Sequence, residues 1–274
     1  MILLVASRKD PASMNIMEQV LGNYPFKPCQ EQFGNAHVYV AEEARQEIRL
    51  VVLDEELVYT EKVNVFQPSP ELVIFLSRHS SESAIPTLSV HTPGNLGEAK
   101  LGGIPRKVSV SPANAMRTAL KAMAKMAAEK QLNYKVSYEC THHGPSLDRP
   151  AMFVELGSSP KQWSDKQAAE VVAHASMEAA SSFGRNEVPA VLGIGGPHYN
   201  EKFTKIALER DVAFGHMIPK YAIHGIDEEI LKQCVDRTLE RVELAVLDWK
   251  GIRGEDKQRL VENLVKIGLK IQKV

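Results

Sequence analysis

From Lys135 onward the chain alternates two kinds of segment with little between them. Short apolar or β-branched runs (Lys135–Glu139, Met152–Leu156, Ala190–Ile194, Val212–Met217, Val242–Leu247) are followed, for all but the first, by segments of helical character: Ser164–Phe183, about Glu201–Arg210, Asp227–Leu239 and about Glu255–Ile271. Strands separated by helices of roughly ten to twenty residues are joined by crossovers, and this favours parallel neighbours with helices laid over the sheet. The expected class is therefore α/β: three layers, α/β/α, around a mixed, mostly parallel sheet, with room for a smaller α/β subdomain.

The first half reads less regularly. Ile2–Ala6 is a short apolar strand, and "DPASMNIMEQVLG" offers an Asp cap, a Pro in the first turn and a closing Gly. Further strands are expected at His37–Ala41, Ile48–Leu53, Leu72–Leu76 and Thr87–His91. A helix from about Ser111 to Gln131 buries Met116, Leu120, Met123 and Ala127 on one face. With 274 residues the chain can form one α/β unit or two subdomains. A boundary would fall near residues 60–70 or within the Gly/Pro-rich loop 92–107. No internal repeat is visible.

Totals exclude several classes. A formal net charge of −1 gives no global basic field, so a nucleic-acid partner would need a local patch. Candidate patches are Arg117, Lys121 and Lys125 on one helix, Arg259, Lys266, Lys270 and Lys273 at the C-terminal end, and Lys100, Arg106 and Lys107 in the loop. Aromatic residues make up 6%, which argues against a stacking platform for single-stranded RNA. Three cysteines without a CxxC pair fit a reducing cytosol, and the N-terminus reads as a strand and not as a signal peptide. No apolar run approaches the ~18 residues of a membrane span. Nothing demands a dimer.

The nine histidines are unevenly placed. His79, His91, the pair His142/His143, His198 and His216 each lie at or just beyond the end of an expected strand. In open α/β sheets ligands bind outside the carboxyl ends of the strands, so parallel strands would bring these imidazoles to one edge. Neutral imidazole is the commonest metal ligand and a good base near neutral pH. The pattern points to a metal site with an open position for water, with Glu139 beside it. In an extended segment adjacent side chains point oppositely, so His142 and His143 are not expected to face one ion together. Taken singly, each histidine is more simply a hydrogen-bonded structural residue; His174, His37 and His224 are read that way.

The turns "HGP" and "GPH" hold imidazoles on stiff loops whose glycines, Gly144 and Gly196, let a ligand approach the backbone. Cys140 beside His142 and His143 is a lesser candidate for a nucleophile. P-loop, GxGxxG, GxSxG and HExxH motifs are absent.

Four blocks carry a more specific signal: "SRHSSESAIPTLSVHTPGN" (Ser77–Asn95), "CTHHGP", "GIGGPHYNEKF" and "FGHMIPKYA" (Phe214–Ala222). Together they resemble the archaeal- and plant-type D-aminoacyl-tRNA deacylases over essentially the whole chain. That resemblance implies a phosphorylase/hydrolase-like α/β fold, dependence on zinc, and hydrolysis of the ester joining a D-amino acid to tRNA in the cytoplasm. The site residues come from the convergence of strand ends and not from the resemblance: the catalytic candidates are Glu139, His142, His143 and His198. The candidate zinc ligands are His79, His142, His143 and His198. Gly144, Gly196, His216 and Lys220 are the candidate substrate contacts. Competing readings are a zinc-dependent small-molecule peptidase or amidohydrolase, and a tRNA-binding protein with structural histidines.

Overall fold

The computed structural model describes residues 1–29, 33, 36–42, 46–66, 68–185 and 187–274. Gln67, inside one of the two expected boundary regions, lies outside the described residues. The strands are β1 (Ile2–Ser7), β2 (Phe26–Pro28), β3 (His37–Ala41), β4 (Ile48–Leu53), β5 (Leu72–Arg78), β6 (Thr87–His91), β7 (Lys135–Tyr138), β8 (Ala151–Gly157), β9 (Ala190–Ile194), β10 (Ala213–Ile218), β11 (Val242–Leu247) and β12 (Lys270–Lys273). The helices are α1 (Pro11–Asn23), α2 (Ala113–Glu129), α3 (Pro160–Trp163), α4 (Lys166–Ser182), α5 (Glu201–Glu209), α6 (Glu228–Asp236) and α7 (Gly254–Lys266).

Two sheets result. One has the order β2-β3-β4-β1-β5-β8-β6-β7 and the other β10-β9-β11-β12. The smaller sheet is wholly parallel. In the larger one β4, β1, β5 and β8 run parallel, β6 and β7 run against them, and β2 and β3 form an antiparallel edge. The class is thus mixed α/β with mostly parallel pairing.

Period-2 alternation sorts the large sheet cleanly. Ile2, Leu4, Ala6, Ile74, Leu76, Val90, Met152 and Val154 pack under α1, α2 and α4. Leu3, Val5, Val51, Val73, Phe75 and Phe153 face the other way, onto Leu57, Val63, Phe66 and Leu147 from short 3-10 turns and loops. The third layer is therefore irregular over this sheet. Over the small sheet it is helical, with Ile230, Leu231, Leu260 and Leu264 of α6 and α7 packed on Leu192, Ile194, Ala245 and Leu247.

The strands His37–Ala41, Ile48–Leu53, Thr87–His91, Ala190–Ile194 and Val242–Leu247 fall where the sequence places them. Asp10 caps α1 as expected, accepting the Ser13 N–H at 2.9 Å. The last helix is shorter than its periodicity implies. Gly268, at φ 79°, reverses the chain after α7, and Lys270–Lys273 adds an edge strand. The C-terminal basic stripe therefore does not exist as one helix face. Among the described residues no helix is long and apolar enough to cross a membrane.

Candidate active site

The irregular face of the large sheet carries one polar patch. By the same alternation Ser77, Ser89, His91, Ser137 and Glu155 share the side of Phe75 and Phe153, and Glu139 follows directly after β7. His79 leaves β5 and is pinned there: its N–H donates to the Leu156 carbonyl at 2.9 Å and its own carbonyl accepts the Trp163 indole N–H at 2.8 Å. His142 and His143 come from the turn after β7, and His198 and Tyr199 from the turn after β9. The convergence expected at a shared strand edge is real, but its geometry differs. β5 and β6 run in opposite directions, so the histidines meet over the sheet face and not at a common carboxyl edge. A cavity of about 600 Å3 opens over them, lined by Glu139, His142, His143, Glu155, His198 and His79 among others.

Hydrogen bonds fix the protonation pattern. A carbonyl only accepts, so the Nδ1–H of His142 donates to Cys140 O (2.9 Å) and that of His143 to Gly144 O (2.7 Å). Burial, reinforced by the neighbouring imidazoles, pushes the pKa of His142 well below the ordinary histidine value and that of His143 down to about 4. Both rings are neutral at pH 7, and each presents a bare Nε2 lone pair. His91 is fully buried and neither ring nitrogen has a hydrogen-bond partner. Donor atoms of His91, His142 and His143 all lie within 4.8 Å of one another. Desolvation lowers the pKa of His91, but Glu155, 3.7 Å from its Nε2, outweighs this and raises it. Two neutral imidazoles with free Nε2 atoms and a third ring beside them suit a small divalent cation, whose binding would displace the proton from His91, with backbone carbonyls setting two of the tautomers.

Glu139 sits beside this trio and is 1% exposed. One oxygen, Oε2, accepts the His198 Nε2–H at 3.0 Å and lies 3.6 Å from His142 Nε2. The other, Oε1, is 3.2 Å from His79 Nδ1 but out of line for a hydrogen bond. Desolvation opposes ionisation of Glu139, but the hydrogen bond from His198 and the charge of His79 outweigh it and hold the carboxyl well below its usual range. Desolvation likewise opposes charge on His79, yet Glu139 and Glu155 push its pKa up to about 11. His79 is therefore an imidazolium at neutral pH, and its Nε2–H donates to the Tyr199 hydroxyl at 3.1 Å. On the other side of its ring, His198 Nδ1 lies 3.1 Å from the Tyr221 hydroxyl.

Several expected roles need correction. His142 and His143 do face one volume, with ring centroids 4.3 Å apart, because His143 adopts φ 40° and breaks the extended alternation. His79 and His198 lie outside the imidazole trio but within reach of Glu139: ligand atoms of Glu139, His142 and His198, and those of His79, Glu139 and Glu155, also lie within 4.8 Å of one another. The Gly144 N–H is taken by Leu101 O (2.9 Å), so it is not available to an oxyanion. Neither Gly144, Gly196, His216 nor Lys220 lines the cavity. Gly196 packs on Asn200, and its carbonyl accepts the Lys220 N–H. Cys140 is buried and its thiol pKa is pushed up to about 12, which removes it as a nucleophile. On α2, Arg117 is spent on the Ala207 and Arg210 carbonyls and on Asp211. That helix also covers the sheet face opposite the cavity.

His216 is wholly buried, bonded through Nδ1 to Thr141 and through Nε2 to the Ser109 and Arg237 carbonyls. It ties the two sheets together and contacts no ligand space. Burial pushes its pKa down to about 4. Unfolded histidine binds its proton near pH 6.5, so between pH 6.5 and about 4 the unfolded state binds more protons and stability falls with pH. That single group is expected to cost about 3 kcal/mol by the end of the window. Denaturant titrations of wild type and His216→Gln from pH 7 to pH 4 check this; equal slopes would sink it.

Sequence reasoning missed four site residues. His91 is visible at a strand end without a role. Glu155 has a clear signal: it is the one charge inside "AMFVELG", a strand that is otherwise apolar, and it is buried. Tyr199 and Tyr221 are found only through their contacts with His79 and His198.

A family model described as D-aminoacyl-tRNA deacylase matches residues 66–272. A D-aminoacyl-tRNA deacylase of Pyrococcus furiosus is 36% identical over the whole of both chains. One from Ignicoccus hospitalis is 42% identical over 72% of this chain and 79% of its own length. Among solved structures, a conserved protein of unknown function superposes with a TM-score of 0.90 at 29% identity, covering 100% of this chain and 95% of that one. Full-length similarity at this level, together with the family match across every element that builds the cavity after β5 begins, assigns the chain: it belongs to the D-aminoacyl-tRNA deacylase family.

Proposed function

We propose that the chain hydrolyses the ester between a D-amino acid and the terminal ribose of tRNA in the cytoplasm, releasing free D-amino acid and tRNA, with zinc as its resident metal. The observation that carries the reading is the pairing of a buried, ionised Glu139 with the clustered imidazoles of His91, His142 and His143 at a cavity, in a chain of this family.

His91, His142 and His143 would hold the ion. When bound, zinc supplies a Lewis acid that lowers the pKa of water toward ~7 and polarises a carbonyl. The remaining steps belong to the chain. Glu139, ionised and with Oε1 lacking a hydrogen bond, takes a proton from the attacking water. The water oxygen bonds to the ester carbon, the bond to the ribose oxygen breaks, and the proton passes to that oxygen. His198, oriented by Tyr221, holds Oε2 of Glu139 in place. His79 supplies a fixed positive charge, itself held by Glu155 and Tyr199.

The test is release of tyrosine from D-Tyr-tRNA and L-Tyr-tRNA by the purified protein, with and without chelator and added zinc. Hydrolysis of the D ester alone, lost on chelation and restored by zinc, is expected. D-selective hydrolysis that ignores chelator would keep the activity and discard the metal. Hydrolysis of neither ester would overturn the reading.

A further inference from the structure

The described residues leave few large apolar side chains exposed, and three of them gather at the cavity: Tyr59 at 59%, Leu101 at 46% and Tyr221 at 62%. Tyr59 and Leu101 line it directly. Leu101 is fastened next to His143, because its carbonyl accepts the Gly144 N–H at 2.9 Å. The Tyr59 ring lies against the Gly102 turn, so tightly that a Cβ on Gly102 would stand 3.2 Å from Tyr59 Cδ1 and 1.9 Å from Val58 O. Tyr221 stands at His198, its ring tilted 20° from the imidazole with centroids 6.5 Å apart. Between the two ends run His143, His142 and His198, with successive centroids 4.3 and 4.4 Å apart. The two apolar ends therefore bracket the row over which an ester must lie. Each end also carries a lysine, since Lys100 precedes Leu101 and Lys220 precedes Tyr221, and both lysines are exposed.

We propose that Tyr59 and Leu101 form the seat for the base of the terminal nucleoside of tRNA, with the neighbouring Lys100 placed for the adjoining phosphate. This rests on the ester reading. If the scissile bond joins the aminoacyl group to the terminal ribose, the adenine base is one ribose away from the imidazole row. It must then lie against the cavity rim. An aromatic face and an aliphatic wall hold a base without reading it, and lysines hold a phosphate without reading sequence. The low aromatic content of the chain is no obstacle, because a single terminal base needs only the few side chains that stand at the rim.

The measurement is steady-state hydrolysis of D-Tyr-tRNA and D-Ala-tRNA by wild type, Tyr59→Ala, Tyr59→Phe and Leu101→Ala. Tyr59→Ala is expected to raise KM about ten- to a hundredfold on both substrates, with kcat within about twofold, and Tyr59→Phe to restore it. On a D-tyrosyl ester of ribose lacking the base, wild type and Tyr59→Ala should perform alike, which a merely disturbed fold would not give. A KM rise confined to D-Tyr-tRNA would assign the seat to the amino-acid side chain and overturn the proposal. KM unchanged in both alanine variants, with wild type active, would overturn the seat alone. Inactivity of wild type on every D ester would overturn the functional reading and the seat with it.

Discussion

Glu139→Gln is expected to lower kcat for D-aminoacyl ester hydrolysis by about 10²–10⁴-fold, the usual range for loss of a positioned general base. The substitution keeps the shape of the side chain. The amide oxygen can still accept the His198 Nε2–H that now reaches Oε2 at 3.0 Å. What it removes is the lone pair that takes a proton from water, together with one of the two charges that hold His79 as an imidazolium. Glu155 remains within 3.5 Å of His79, so the cluster keeps a counter-charge and the protein is expected to fold. Zinc content should be unchanged, because Glu139 is not among the imidazole trio. Metal analysis beside the rate separates this prediction from loss of the site. A variant that keeps its zinc and turns over within tenfold of wild type would mean that Glu139 is not the base.

The fold was more legible than the site, and for a physical reason. Strands such as Ile2–Ser7 and Ala190–Ile194 are buried on both faces, so their apolar runs mark them without ambiguity. Strand direction carries no such mark. β6 reads like any other crossover strand, yet it runs against β8, and that reversal puts the histidines over the sheet face. The C-terminal helix failed differently: Ile267 and Ile271 continue its apolar period, and only the left-handed Gly268 shows where the chain turns into an edge strand. At the site, Glu139, His142, His143 and His198 were visible as polar residues after strands. Their division of labour was not, because it depends on which nitrogen each carbonyl claims and on a backbone φ at His143 that no spacing rule specifies. Glu155 could have been found, since a charge inside a doubly buried strand needs a partner. His216 misled because a histidine at a strand end looks the same in sequence whether its nitrogens face a ligand or two backbone carbonyls.

That division of labour gives the second large prediction. His142→Ala is expected to abolish stoichiometric zinc binding and to reduce turnover by more than about a thousandfold, since a metal Lewis acid contributes several kcal/mol to such a transition state. The stability readout is independent of activity. A ligand that binds only the folded state stabilises it by about 3–4 kcal/mol at a free concentration between about 100 and 1,000 times Kd. For a chain of this size that amounts to a chelator-induced fall in Tm of roughly ten degrees in wild type. The variant should show none, because it lacks one of the three imidazoles that would hold the ion. The physical ground is local: His142 Nε2 is a bare lone pair 3.6 Å from an ionised Glu139 oxygen and is packed beside His91, whose ring centroid is 4.2 Å away. If chelation leaves the wild-type Tm unchanged while metal analysis shows the ion removed, the trio is not the metal site, and the lone pairs must be satisfied by water alone.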